Sequence, residues 1–121
     1  MTEFQLKLKK IMGEFVHFVY NVTQEFPKEE LYNSVSQWRR ASLSIALNYV
    51  EGYARRKTLV QLNFFEISYG SLEESKYLLS FALERKYINS EKFQQGQALS
   101  EEIGRMLWTE IKSVEKRAGL N

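Results

Sequence analysis

The chain has 121 residues, one proline, no cysteine and a single histidine, and its formal net charge is +2 at pH 7. This length favours a single domain over residues 1–121, and a hydrophobic fraction of 44% argues against disorder. The composition excludes disulfides and cysteine-based metal sites, disfavours a turn-rich β fold, and permits nucleic-acid binding without requiring it.

Apolar residues with 4-3-4-3-4 spacing predict a first helix over about residues 3–25. This spacing places the following side chains on one helical face: Phe4, Leu8, Ile11, Phe15, Phe18 and Val22. Glu14 and His17 fall on the opposite, polar face. Pro27 then ends the helix, because a proline pushes the residue before it away from α geometry.

A second helix is expected over about residues 34–54, with Asn33 or Ser34 as its N-cap. One apolar stripe comprises Leu31, Val35, Trp38, Ala41, Ile45, Tyr49 and Gly52. A second apolar stripe, which we call the outer stripe, lies nearly opposite and comprises Leu43, Leu47, Val50 and Ala54. A helix that is apolar on two sides needs two neighbours, so we expect the outer stripe to contact another subunit.

A polar ridge lies between these two stripes and comprises Gln37, Arg40, Ser44, Asn48 and Glu51. Such a ridge has two interpretations. It is either a solvated helix face or a polar network within a subunit interface. Within the ridge, we expect Asn48 and Glu51 to organise helix packing or a subunit contact.

A third helix is expected over about residues 58–86, with Thr58 as its N-cap. Its apolar stripe is interrupted by Lys76, which either snorkels over apolar surface or pairs with a glutamate across a helix interface. The segment 87–89 breaks this helix, and a fourth helix follows over about residues 90–117 and ends at Gly119. Four helices with short connections predict an all-α, up-down-up-down antiparallel four-helix bundle.

Residues that carry chemistry are few. Glu14 and His17 have the E-x-x-H spacing of di-iron bundles, but one histidine supplies too few ligands. The chain has no aspartate for a serine triad and no glycine-rich phosphate loop. We therefore expect no catalytic residue, no bound cofactor and no metal site.

Two basic clusters are candidates for nucleic-acid contact: Arg39 and Arg40 in the second helix, and Arg55, Arg56 and Lys57 in the connection that follows it. Arginine pairs with phosphate in a bidentate manner, which favours these five residues as phosphate contacts. The connection can equally satisfy the C-terminal carbonyls and the dipole of the second helix.

Several motifs in the second and third helices resemble those of one family. They are residues 26–32, Ser36-Gln37, Arg39-Arg40-Ala41, Ser44-Ile45, Asn48 and Glu51-Gly52, continued by Phe64, residues 70–74 and Tyr87-Ile88. On these residues the chain is identified as a member of the four-helix bundle proteins of the 23S rRNA intervening-sequence type, also called S23 ribosomal protein. Ala46 departs from the family pattern, which has proline there, so we expect a straighter second helix.

The resemblance implies a ring-shaped homo-oligomer, with a pentamer favoured, and kinship with accessory proteins of diversity-generating retroelements, which bind reverse transcriptase and nucleic acid. Together with the basic connection it predicts a non-enzymatic, oligomeric bundle that binds RNA or a protein–nucleic-acid partner. The alternative is a protein-interaction scaffold without a nucleic-acid role. The chain shows no signal-peptide pattern, and its uncharged runs are about half of the ~20 residues that span a bilayer, so we expect a cytoplasmic protein with no membrane partner.

Overall fold

The computed structural model describes residues 1–120. Four helices occupy this range: α1 (Glu3–Thr23), α2 (Ser36–Ala54), α3 (Thr58–Glu84) and α4 (Ser90–Arg117). Each helix packs against the next in the chain, and α1 also packs against α4, which closes the bundle. The predicted all-α fold and its helical bundle are therefore confirmed.

The core of the bundle is built from the apolar stripes that the spacing indicates. The largest fully buried side chains include Phe15 of α1, Trp38 and Tyr49 of α2, and Phe65 of α3. Aromatic rings meet across the helices, as where the rings of Tyr49 and Phe65 stack with centroids 5.1 Å apart. Burial of these stripes stabilises the bundle, because each fully buried large side chain contributes about 1.5–3 kcal/mol of hydrophobic free energy.

The start of α2 differs from the prediction. A 3-10 turn (Lys28–Glu30) and a kinked segment (Leu31–Val35), in which Tyr32 and Asn33 have non-helical backbone angles, precede α2, which begins at Ser36. Neither Asn33 nor Ser34 caps this helix, because Val35 occupies the cap position and no side chain caps it. Both side chains instead donate hydrogen bonds to the carboxylate of Glu30. The hydrogen bond from Ser34 is the main cause that holds the pKa of Glu30 below its usual value.

Two predicted details of α3 are also corrected. Thr58 is the first residue of α3 rather than its N-cap, and Lys57 occupies the cap position without a side-chain hydrogen bond. The helix ends at Glu84 instead of about residue 86, because Lys86 adopts a left-handed φ of 63°. The N–H of Tyr87 then donates to the carbonyl of Ala82 at 2.8 Å, which closes the last turn.

Helix α2 packs against α3 through the middle of the polar ridge. The Oγ atoms of Ser44 and Ser71 are 2.8 Å apart, and Asn48 Nδ2 donates to the carbonyl and Oγ of Ser44 at 2.9 Å. Ser68 of α3 donates to the carbonyl of Ile45 at 2.7 Å. Ser44 and Asn48 therefore organise the packing of α2 against α3 inside one bundle.

Helix α2 runs without a break through Ala46, the position where the family pattern has proline. In the part of the chain that the structure describes, no helix combines the length and the apolar character needed to cross a membrane.

Candidate nucleic-acid interface

The connection between α2 and α3 lies at the end of the bundle where α4 also ends. Gln61, in the first turn of α3, links the three elements: its Nε2 donates to the carbonyl of Gly52 at 3.1 Å, and its Oε1 accepts from Arg117 Nη2 at 2.9 Å. We call this surface the basic end and define it by five residues: Arg55, Arg56, Lys57, Lys116 and Arg117. All five are exposed, so their charges are available to a ligand.

The three predicted residues of the connection differ in how far their charge is compensated. Arg55 forms an ion pair with Glu51 one helical turn earlier, and its guanidinium lies 5.2 Å from the ring centroid of Phe64. Arg56 and Lys57 form no ion pair with residues 1–120. The free charge of the connection therefore resides mainly on Arg56 and Lys57.

The structure does not bring Arg39 and Arg40 to the basic end. Arg40 and Arg55 are fifteen residues apart along α2, which corresponds to ~22 Å at 1.5 Å per residue. Arg39 is half-buried and joins α2 to α1: its Nε donates to Thr23 Oγ1 at 2.9 Å, and its guanidinium lies 4.7 Å from the ring centroid of Tyr20. Arg39 thus stabilises helix packing, while Arg40 remains exposed at a distance from the connection.

Arg117 is a member of the basic end that sequence reasoning missed. Its Nη1 donates to Ser113 Oγ and its Nη2 to Gln61 Oε1, both at 2.9 Å. Both acceptors are neutral, so these hydrogen bonds fix the guanidinium without neutralising it. Its basic character is visible in the sequence, but its position beside the connection depends on where α4 ends in the bundle.

The first turn of α3 adds to the positive potential at this end. It contains no acidic residue and no side-chain N-cap, and the first helical hydrogen bond runs from Gln61 N to the Lys57 carbonyl at 2.9 Å. By helix geometry, the N–H groups of Thr58, Leu59 and Val60 have no partner within the helix. The electrostatics of this turn favour an anion, because these N–H groups carry the positive end of the helix dipole.

The outer stripe of α2 is exposed in the isolated bundle. Leu43, Leu47 and Val50 are between 39% and 58% exposed, and Ala54 is exposed as well. By contrast, the opposite stripe of α2 is buried from Val35 onward. Within residues 1–120, the structure thus leaves a row of partly exposed apolar side chains on the outer side of α2.

A buried carboxylate was not anticipated from the sequence. Glu110 of α4 is 9% exposed, and its Oε1 accepts hydrogen bonds from Tyr49 Oη at 2.7 Å and Gln5 Nε2 at 3.2 Å. Burial is the main cause that raises the pKa of Tyr49 far above its ordinary value, and the hydrogen bond to Glu110 adds to this effect. The signal was present, because Glu110 lies seven residues after the buried Ile103, on the same helical face.

The remaining candidate residues form no reactive cluster. Glu14 and His17 are exposed and line a shallow groove between α1 and α4. Residues 1–120 contain no group of three side chains that could hold a metal ion. Lys76 lies 3.8 Å from Glu73 of its own helix, so it makes the glutamate contact within α3 rather than across a helix interface.

An exposed aromatic residue also lies outside the core. Trp108 of α4 is 48% exposed and packs against Tyr69 of α3, with ring centroids 5.7 Å apart. The ammonium of Lys112 lies 4.8 Å from the Trp108 ring centroid. The indole therefore has two neighbours and remains about half exposed.

A protein family and a solved structure are similar to this chain. The family model described as 23S rRNA-intervening sequence protein matches residues 5–109, from α1 into the second half of α4. A crystal structure of a protein of unknown function from the S23 ribosomal protein family of Bacteroides thetaiotaomicron VPI-5482 is similar, with a TM-score of 0.83 and 23% identity over 90% of this chain and 98% of that chain. No curated protein matches the sequence. The chain belongs to the family of 23S rRNA-intervening sequence proteins.

Proposed function

We propose that this chain is a non-enzymatic, self-associating helical bundle that binds RNA through its basic end. The observation that carries the proposal is the convergence of Arg56, Lys57 and Arg117, from two separate parts of the chain, on one end of the bundle. Such a surface attracts the phosphate backbone, which supplies most of the affinity in sequence-independent binding.

The outer stripe supports the self-association that the proposal includes. Exposed rows of apolar side chains on a soluble helix mark interaction surfaces, since covering them with a second copy removes apolar area from water. The motifs of this chain resemble those of family members that form rings, and this resemblance favours a pentamer. A ring would repeat the basic end in each subunit and raise the affinity for a long polyanion through multivalency.

The test is charge reversal of the two residues of the connection that have no ion pair. The double variant Arg56→Glu/Lys57→Glu is expected to weaken binding of a labelled RNA hairpin and to reduce the slope of log K against log salt by up to ~0.9 per lost phosphate contact. The matched control is Arg85→Glu/Lys86→Glu, which reverses two adjacent charges at the opposite end of α3 and is expected to bind as wild type.

A protein-interaction scaffold is the second candidate, and the exposed outer stripe is the observation that favours it. If the wild-type protein associates in solution but does not bind RNA at any salt concentration, the scaffold replaces the proposed function. Equal weakening by both double variants would instead assign the binding to net charge and remove the connection from the proposal.

A further inference from the structure

We infer that Arg117 is a pre-positioned ligand for a backbone phosphate of RNA, and that it makes a larger contribution to binding than its neighbouring charges. This inference rests on the proposed RNA-binding function and deepens it. It starts from the two hydrogen bonds that hold the guanidinium, from Nη1 to Ser113 Oγ and from Nη2 to Gln61 Oε1, each at 2.9 Å.

The hydrogen-bond inventory of Arg117 leaves donors for a ligand. A guanidinium has five N–H donors, and the two contacts with Ser113 and Gln61 use one hydrogen on each Nη atom. The Nε–H and one further hydrogen on each Nη remain. Two parallel donors are what the two non-bridging oxygens of a phosphodiester accept in a bidentate contact.

Its surroundings keep the charge of Arg117 available. Both acceptors are neutral, and no carboxylate of residues 1–120 forms an ion pair with it. Arg55 is the instructive contrast, since its guanidinium already binds the carboxylate of Glu51. Arg117 is also held in place before the ligand arrives, so less side-chain entropy is lost on binding than for a free lysine such as Lys116.

The support for Arg117 involves three helices. Gln61 is itself fixed, because its Nε2 donates to the carbonyl of Gly52 at 3.1 Å. The guanidinium is therefore tied to α3 through Gln61, to the end of α2 through the contact of Gln61 with Gly52, and to α4 through Ser113. This places Arg117 beside Arg56 and Lys57, so one phosphate at Arg117 leaves the next phosphates along the strand within reach of the connection.

The experiment compares two neutralising substitutions of adjacent residues by fluorescence anisotropy with a labelled RNA hairpin. Arg117→Gln is expected to lower the affinity about tenfold or more, the size of one charge-assisted hydrogen-bonded contact. Lys116→Gln removes the same charge from an exposed residue and is expected to lower it less than threefold. Arg117→Lys keeps the charge but loses the bidentate geometry, so its affinity should lie between those of wild type and Arg117→Gln.

Thermal unfolding of each variant checks that the bundle is intact, and Arg117→Lys retains the test if Arg117→Gln destabilises α4. Equal losses in Arg117→Gln and Lys116→Gln would overturn the inference while leaving the RNA-binding function in place. Wild-type affinity in Arg117→Lys would also overturn it. An absence of RNA binding by the wild-type protein would refute the proposed function itself, and the inference with it.

Discussion

Tyr49 of α2 donates a hydrogen bond of 2.7 Å to the Glu110 carboxylate of α4 inside the core of the bundle. The same carboxylate oxygen accepts from Gln5 of α1, whose Oε1 in turn accepts from the N–H of Thr2. This series of hydrogen bonds connects Thr2, the N-cap of α1, to the side chains of Tyr49 and Glu110. Three helices are therefore tied together by one polar network, which runs from the exposed N-cap of α1 to the buried pair of Tyr49 and Glu110.

The first prediction concerns the stability that this network provides. Tyr49→Phe removes the hydroxyl and leaves the buried Glu110 carboxylate with Gln5 as its remaining donor, so we expect a loss of about 1–3 kcal/mol in the free energy of unfolding. Urea titration followed by circular dichroism measures it. Tyr77→Phe, at a residue 69% exposed, is the matched control and should match wild type. A Tyr49→Phe protein as stable as wild type would contradict the prediction.

The second prediction concerns alkaline pH. Because the pKa of Tyr49 is raised in the folded protein, the unfolded chain releases this proton first, near the ordinary value of 10.0. The stabilisation that the raised pKa of Tyr49 provides is fully present below the ordinary pKa of tyrosine, and it is lost as the pH rises above that value. Between about pH 9 and pH 11, wild type should lose up to ~1.4 kcal/mol per pH unit more than Tyr49→Phe. Parallel pH profiles for the two proteins would exclude this contribution.

The third prediction concerns the close approach of α2 and α3. A Cβ atom on Gly52 would lie 2.8 Å from two ring carbons of Phe65 and 3.0 Å from Phe64 Cβ, so either the buried Phe65 ring or the helices would have to shift. We expect Gly52→Ala to destabilise the bundle by about 1–3 kcal/mol. Gly70→Ala is the control, because nothing lies within 4 Å of its Cβ position, and the better helix propensity of alanine should stabilise it by up to ~1 kcal/mol. Similar changes at both positions would show that the contact at Gly52 relaxes freely.

The fourth prediction tests the outer stripe. Leu47 is 58% exposed, so Leu47→Glu should leave the bundle folded but reduce the molar mass in light scattering to that of a single chain, because a subunit contact there would bury the carboxylate. Leu6→Glu makes the same change at a residue 53% exposed on α1 and should keep the wild-type mass. An unchanged mass for Leu47→Glu would place the subunit contact elsewhere.

The fifth prediction follows from the ion pair between Arg55 and Glu51. Glu51→Gln removes the carboxylate that holds Arg55 and one negative charge near the basic end, so the RNA affinity should rise a few-fold at low salt. Glu84→Gln removes the same charge at the opposite end of the bundle and should have no effect. If Glu51→Gln binds RNA more weakly, then the ion pair positions Arg55 for the ligand.

The sequence predicted the helices well where apolar residues repeat, because burial requires that repeat. It failed at helix ends, where alternative hydrogen bonds compete for the same side chains. Asn33 and Ser34 are good N-cap residues, yet both bind the carboxylate of Glu30. Lys86 adopts a left-handed conformation that a lysine in the sequence does not indicate, so the predicted end of α3 lies two residues beyond the observed end.

The candidate interface was less predictable, because it depends on which ends of helices meet. The sequence shows Arg55, Arg56 and Lys57 as a cluster, but only the bundle topology adds Arg117 from the far end of the chain. Arg39 carries the same charge in the sequence, and its contacts with Thr23 and Tyr20 become visible only when α1 packs beside α2. The role of a charged residue is thus harder to predict from the sequence than the burial of an apolar residue.

The short connections between consecutive helices also set an order of events when the chain folds. The contact between Ile45 and Ser68 closes a loop of 23 residues, whereas that between Gln5 and Glu110 closes one of 105. The longer closure costs about 1.3 kcal/mol more in chain entropy. Helices that are consecutive in the chain are therefore expected to pair before α1 docks against α4.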